Sequence, residues 1–148
     1  LLKDEGSKHV LWQEDGSFEK QLNTLAHELT ANLAFDAAGG SLSGIILKNM
    51  PDGSCLKVYG ALAGRTLSEI PATDVIFHKK SLSGFNMNEW KANLSKQEFL
   101  SVSEQLQKMF IEGKLKTRIQ GSYPLEEHGK ALMEYIRNMS AGKVLLKP

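Results

Sequence analysis

The sequence predicts an α/β fold with a parallel sheet, and residues 32–60 carry the pattern that indicates it. The short apolar segment 33–35 is typical of a parallel strand buried on both faces, and residues 55–59 predict a second strand. Between them, Ser41 can cap a helix whose apolar residues recur at helical spacing, and a Pro-Asp-Gly turn follows. Strand, helix and strand in this order form one parallel unit. Because ligands bind beyond the carboxyl ends of such strands, we expect a site at that edge.

The chain ahead of this unit predicts three further elements. Residues 1–6 have the pattern of the last turns of a helix with a glycine at its C-cap. A short strand is predicted over residues 8–11. A helix over 18–29 follows, because its apolar residues form one stripe, and either Asp15 or Ser17 can cap it.

Beyond the central unit, the sequence predicts a short helix after Pro71 and a strand over residues 81–85. Residues 86–93 are polar apart from two large apolar side chains, and this predicts irregular structure. Ser95 and Glu98 then form a capping box that begins a long helix.

After that helix, strand and helix signals alternate again. We predict a strand over 116–120, a helix over 125–139 and a final strand over 143–146.

Composition excludes several classes of function. Of 148 residues, 41% are hydrophobic and 24% are charged, as in ordinary globular domains, and the formal net charge is +1. So small a charge gives no reason to expect a nucleic acid or a membrane surface as partner. Cys55 is the one cysteine and the four histidines lack metal-ligand spacing, so neither an internal disulfide nor a metal site is expected. No apolar run reaches the roughly 18 residues that span a bilayer.

Six segments carry a family resemblance: residues 6–11, 34–40, 58–64, 82–85, 123–127 and 139–148. Together and in this order they resemble the carboxyl-terminal half of a medium-chain dehydrogenase/reductase, a zinc-binding dehydrogenase family. The quinone oxidoreductase and enoyl reductase branch is the nearest. The family's Gly-x-Gly-x-x-Gly phosphate loop and amino-terminal half have no counterpart here. We therefore expect the chain to begin within an element of a longer protein, with any targeting segment outside it.

The resemblance implies an incomplete Rossmann-type parallel sheet with helices on both faces, plus an α+β segment of the substrate domain. Residues 1–87 would be the last part of the dinucleotide-binding domain, and residues 88–148 the last segment of the GroES-like substrate domain. If the family's strand order holds, the strand at 33–35 is an apolar edge without its neighbour, which is an aggregation hazard. We expect the isolated chain to be unstable, rearranged or oligomeric.

The resemblance also implies a function. The chain would belong to an NAD(P)H-dependent oxidoreductase that transfers hydride to a quinone, an enone or an enoyl thioester, with NADPH expected before NADH. The expected partners are this small-molecule substrate and a second copy of the chain, joined through residues 81–85. The expected compartment is the cytoplasm or the mitochondrion. Catalytic side chains stay unassigned, because in this family the protein mainly positions the cofactor.

By the same resemblance, cofactor-binding residues fall into four groups, each with a structural alternative. Two groups follow the predicted strands. Their glycines allow either a close approach of the cofactor or simply a turn. The acid at the end of the first strand, Asp36, has a structural role in this family. The third offers main-chain contacts to the carboxamide or is a strand end with a core aromatic. The fourth, a lysine, offsets phosphate charge or is solvated. The residues are Asp36, Ala38, Gly39, Gly40, Gly60, Ala61, Leu62, Phe85, Asn86, Met87 and Lys143.

Two other functions stay open. A zinc alcohol dehydrogenase of the same superfamily would carry its metal ligands outside this chain, and elemental analysis of the full-length protein would reveal the metal. A non-catalytic α/β module would serve only oligomerisation or partner binding, and an NADPH titration tests this. Without the phosphate loop, we expect weak or no NADPH binding by the isolated chain, and a sub-micromolar affinity would mean that the cofactor's main anchor is misplaced.

Overall fold

A computed structural model describes residues 2–148, and the chain divides into two compact units between Asn93 and Leu94. The helices of the first unit are α1 (Phe18–Glu28), α2 (Ser41–Asn49), α3 (Ala72–Ile76) and α4 (Met87–Ala92). Its strands are β1 (Leu33–Asp36), β2 (Cys55–Val58) and β3 (Ser81–Gly84).

The three strands form one sheet in the order β1-β2-β3, and both pairings are parallel. Asp36 lies opposite Val58, which in turn lies opposite Gly84, so the carboxyl ends of all three strands are level. The predicted parallel α/β sheet is confirmed. The predicted edge position of the first strand is also observed, since among the described strands β1 pairs with β2 alone.

The core of this unit lies between α2 and the sheet. Leu47 of α2 and Leu56 of β2 are both fully buried, and α1 packs against α2. Gly44 lets the loop at residues 68–69 pack directly on α2, because a Cβ at that position would overlap the backbone carbonyls of Ser68 and Glu69. A glycine in the interior of α2 therefore costs helix propensity but allows the close approach of a loop.

The opposite face of the sheet differs from the prediction of burial on both faces. Side chains alternate along a strand, so Leu33 and Phe35 point away from the face that carries Leu56. They are 48% and 68% exposed. The reason is that, among the described elements of the first unit, β1 makes extensive contact with β2 alone, so nothing in that unit covers this face. The short, apolar sequence of β1 does not by itself reveal that one of its faces is left uncovered.

Three local predictions for this unit are wrong. Residues 8–11 form no strand: Lys8 is a bend, residues 9–11 have no regular structure, and none of them pairs with a described strand. Ser41 is the first residue of α2 and makes no capping bond; Gly40, at φ +69°, holds the N-cap position. Within residues 86–93, predicted to be irregular, Met87–Ala92 form a helix, since the Asn86 side chain caps its start by accepting hydrogen bonds from the backbone amides of Asn88 and Glu89.

The amino-terminal segment agrees with its prediction where it is described. Residues 2–6 form turns that end at Gly6, with φ +96°, and the Ser7 amide donates to the Leu2 carbonyl at 3.0 Å. That is the hydrogen-bond pattern of a helix C-cap. The first residue of the predicted segment lies outside the described residues. At α1, Ser17 holds the N-cap position without a capping side-chain bond, because its hydroxyl and amide both donate to Asp15.

The second unit contains α5 (Lys96–Ile111), β4 (Ile119–Pro124), α6 (His128–Arg137) and β5 (Lys143–Lys147). The capping box is confirmed: the Ser95 hydroxyl accepts from the Glu98 amide at 3.2 Å, and the Glu98 carboxylate accepts from the Ser95 amide at 2.8 Å. Strands β4 and β5 pair in parallel, and α6 packs on both.

Two boundaries in this unit differ from prediction. The strand predicted over 116–120 runs over Ile119–Pro124, where it pairs with β5 through an irregularity between Ile119 and Gly121. The helix predicted over 125–139 is shorter, with 3-10 turns at Leu125–Glu127 and Met139–Ala141 on either side of α6. Asn138 leaves the helical region, with φ −151°, and so ends α6 before Met139.

Candidate functional site

Two loops lie side by side at the carboxyl ends of β1 and β2. The Tyr59 amide donates to the carbonyl of Asp36 at 2.9 Å, which extends the ladder past the end of β1. Further out, the Ala63 amide donates to the carbonyl of Ala38 at 2.8 Å. The loop of residues 37–40 and the loop of residues 59–64 are therefore hydrogen-bonded neighbours, as the sequence predicted for the two strand ends.

Glycine is required where these loops come closest. A Cβ on Gly60 would overlap the carbonyl oxygen of Ala37, so any larger residue must push the two loops apart. Gly39 adopts φ +71°, and a Cβ built there would lie 3.5 Å from the Gly60 carbonyl oxygen. Gly60 thus lets the two loops approach closely, and Gly39 supplies a backbone conformation that other residues rarely adopt.

Asp36 holds the first loop from inside. Its carboxylate is 3% exposed and accepts hydrogen bonds from the amides of Ala38 and Gly39, at 2.8 and 3.0 Å, and from the Ser43 hydroxyl at 2.5 Å. Burial by itself would raise the pKa of Asp36, but the hydrogen bonds from Ser43, Gly39 and Ala38 together hold this pKa below its ordinary value of 3.8. The side chain therefore shapes the loop, and its carboxylate is fully engaged within the protein.

An open cleft of about 490 Å³ lies at the ends of β2 and β3. Tyr59 and Phe85 follow the two strands directly, are 55% and 46% exposed, and form two aromatic surfaces of the cleft. The Phe85 amide donates to the Val58 carbonyl at 2.9 Å, and Trp90 supports the Phe85 ring at a centroid distance of 6.2 Å. The lining residues are Val58, Tyr59, Gly60, Ala61, Gly84, Phe85, Asn86 and Glu89.

The structure brings some of the predicted cofactor residues together and separates others. Four of them, Gly60, Ala61, Phe85 and Asn86, line this cleft. Ala38, Gly39 and Gly40 lie in the neighbouring loop, and Asp36 ends β1 just before it. The Gly40 carbonyl accepts from the Ser68 amide. Leu62 and Met87 lie nearby in the chain, 88% and 61% exposed, but do not line the cleft. Lys143 begins β5 in the second unit, so its place near a pyrophosphate stays a prediction.

Sequence reasoning missed four residues that line the cleft: Val58, Tyr59, Gly84 and Glu89. A signal for Glu89 was present. Asn86 followed three residues later by Glu89 is the spacing of a helix N-terminus, and a helix there turns Glu89 toward the strand ends. Interpreting residues 86–93 as irregular hid this geometry.

The described residues offer no alternative site with a metal. Within residues 2–148, no group of three or more His, Cys, Asp or Glu side chains is placed to hold a metal ion. Nor does this part of the chain contain a helix long and apolar enough to cross a membrane.

No family model matches the chain, whereas several curated proteins and solved structures do. The mitochondrial enoyl-acyl-carrier-protein reductase of Rattus norvegicus is 28% identical over 131 residues, which is 88% of this chain and 35% of that enzyme. A solved structure from Mesorhizobium loti, described as an NADPH:quinone reductase, superposes with a TM-score of 0.81 at 26% identity, over 99% of this chain and 42% of that one. The Etr1p mutant solved with NADP and crotonyl-CoA has a TM-score of 0.76 at 19% identity, over 97% and 42%.

The parallel sheet and these comparisons place the chain among α/β folds similar to those of known oxidoreductases. The chain is similar to medium-chain dehydrogenase/reductases, the family in which these relatives and neighbours fall. It spans 35% of the length of the rat enzyme that it matches.

Proposed function

We propose that this chain forms the nicotinamide side of the cofactor cleft in an NADPH-dependent reductase of enoyl thioesters. One observation carries the proposal: the loops of residues 37–40 and 59–64 lie side by side next to an open, aromatic-flanked cleft. A flat ring needs small residues and free backbone groups, and Gly60 and Ala61 offer both. The names of the curated relative and of the solved structure with crotonyl-CoA support an enoyl thioester over a quinone.

In this proposal the chain's own residues bind and orient the cofactor. Asp36 fixes the first loop, Gly60 lets the second loop approach it, and the backbone of Phe85 and Asn86 faces the carboxamide. The nicotinamide, when bound, supplies the hydride. The name of the Mesorhizobium loti structure supports NADPH as the donor. The name of the rat enzyme supports a mitochondrial location for the parent protein. A homodimer through the edge of β3 is part of the proposal, because Ser81–Gly84 has a free side for pairing in the described chain.

Amide chemical shifts of the isotope-labelled chain test the proposal. Reduced nicotinamide mononucleotide (NMNH) carries only the half of NADPH that this cleft would bind, and adenosine 2′,5′-bisphosphate carries only the other half. We expect NMNH to bind with a Kd on the order of 1 mM and to shift the amides of Gly39, Gly60, Ala61 and Phe85. The adenosine compound should leave these amides unchanged.

Gly60→Val and Gly16→Val make a matched pair for this titration. A side chain at Gly60 overlaps the Ala37 carbonyl, whereas the space around Gly16 is open. NMNH binding should be lost in the first variant and kept in the second. Failure of NMNH to shift the cleft amides of the parent chain would reject the proposed site and favour a non-catalytic module.

A further inference from the structure

The cleft at the ends of β2 and β3 has one charged residue among those that line it, Glu89. The remaining lining residues are aliphatic, aromatic or amide, or glycine. Glu89 lies in the first turn of α4, and its amide reaches the Asn86 side chain at 3.4 Å. A glutamate carries a full negative charge at neutral pH.

This charge is not neutralised by the described part of the protein. In residues 2–148 the ion pairs of the first unit join Lys48 to Glu19, His78 to Asp52 and Lys80 to Asp74, and none includes Glu89. The carboxylate therefore acts on whatever enters the cleft. Its electrostatic influence is moderate, because the cleft is open to solvent.

We propose that Glu89 makes this cleft select the oxidised form of the nicotinamide over the reduced form. This rests on the proposed function. The oxidised ring carries one positive charge and the reduced ring carries none, while the ribose and phosphate are the same in both. A carboxylate beside the ring therefore attracts the oxidised form alone, and its effect on the phosphate cancels when the two forms are compared.

Preferential binding of the oxidised ring has a consequence for the chemistry. If the protein binds the oxidised form tenfold more tightly than the reduced form, the potential of the bound couple falls by about 30 mV, because two electrons are transferred. The reduced cofactor in this cleft then becomes a stronger hydride donor. Glu89 would do this without touching the hydride or the substrate, so it is a residue that tunes the cofactor rather than a catalytic one.

The test compares the affinities of the chain for the oxidised mononucleotide NMN and for NMNH, measured by amide shifts. We expect Glu89→Gln to weaken binding of NMN relative to NMNH by roughly three- to tenfold, the size expected for a solvent-exposed charge. Glu89→Lys should weaken it further. Glu14→Gln is the control, because Glu14 is an exposed acid that does not line the cleft.

The outcomes separate this inference from the proposed function. If both mononucleotides bind and Glu89→Gln leaves the ratio of their affinities unchanged, the role of Glu89 is rejected and the cofactor site stands. The role is also rejected if Glu14→Gln changes the ratio equally, since net charge would then explain the effect. If neither mononucleotide binds the parent chain, the proposed site fails, and the inference fails with it.

Discussion

The Ser43 hydroxyl donates a 2.5 Å hydrogen bond to the Asp36 carboxylate, and this joins the first turn of α2 to the end of β1. Both side chains are buried. The bond spans the loop that contains Gly39 and Gly40, so the shape of this loop depends on a contact within the protein. Substitutions at Asp36 or Ser43 can therefore test what holds the loop in place without any ligand.

Ser43→Ala should lower the free energy of unfolding by about 1–3 kcal/mol, because it leaves one oxygen of a buried carboxylate without a donor. Ser41→Ala is the matched control. Ser41 lies in the same turn of α2 but is exposed and makes no capping bond, so its loss should change stability by less than about 0.5 kcal/mol. Urea unfolding of the two variants measures the difference, and equal effects would show that the Ser43 bond contributes nothing.

The stability contributed by Asp36 should depend on pH. Since its pKa is lowered on folding, the carboxylate stabilises the fold above its ordinary pKa of 3.8, and this contribution is lost as the pH falls through the lowered value. The free-energy difference between the parent chain and Asp36→Asn should be constant from pH 7 to about 5 and shrink below about 4. Parallel pH profiles for the two proteins would contradict this.

Two helical glycines should respond to alanine with opposite signs. In α2, Gly44→Ala gains up to about 1 kcal/mol in helix propensity, but its Cβ overlaps the carbonyls of Ser68 and Glu69, and the overlap should make the variant less stable by about 1–3 kcal/mol. In α6, Gly129 has open space around it, so Gly129→Ala should stabilise by about 0.5–1 kcal/mol. Thermal or urea unfolding decides the signs. If both alanine variants were more stable than the parent chain, the loop at Ser68 would have to move away from α2 at little cost.

Lys80 should contribute far more to the free energy of unfolding than the exposed lysines do. It is 5% exposed, and its ammonium group donates to the Asp74 carboxylate at 3.2 Å and to the Lys48 carbonyl at 2.9 Å. Lys80→Met leaves Asp74 buried and unpaired, which should cost about 3–5 kcal/mol, and adding Asp74→Asn should recover part of that loss. Lys130→Met, which breaks an exposed pair with Glu127, should destabilise far less than Lys80→Met, because solvent screens that pair. Strictly additive losses in the double variant would contradict the pairing.

Association of the isolated chain should depend on Phe35. This side chain is 68% exposed on β1, whose outer edge has no partner among the described strands. Phe35→Lys should reduce concentration-dependent association, because charge on an edge strand opposes pairing. Phe77→Lys provides the control, since Phe77 is 72% exposed but lies outside the sheet. Light scattering or sedimentation measures the effect. Equal effects from both variants would point to general hydrophobicity rather than to the edge of the sheet.

Much of the fold followed from local patterns in the sequence. Helix α5 was predicted by its capping box, and β2 by a short apolar run between two turn signals, because both elements depend on neighbours in the chain. The glycines at positions 39, 40 and 60 indicated the edge of the sheet where a site could lie. These signals concern backbone conformation, which a few adjacent residues determine.

Only the tertiary structure decided how those elements meet. It showed that Asp36 turns inward to Ser43, that Gly60 lies against Ala37, and that Glu89 lines the cleft. It also showed that residues 8–11 pair with nothing in the described chain, although their composition suits a strand. The physical reason is the same in each case: burial, sheet pairing and the charge of a cleft are set by residues distant in the chain, and no local pattern contains them.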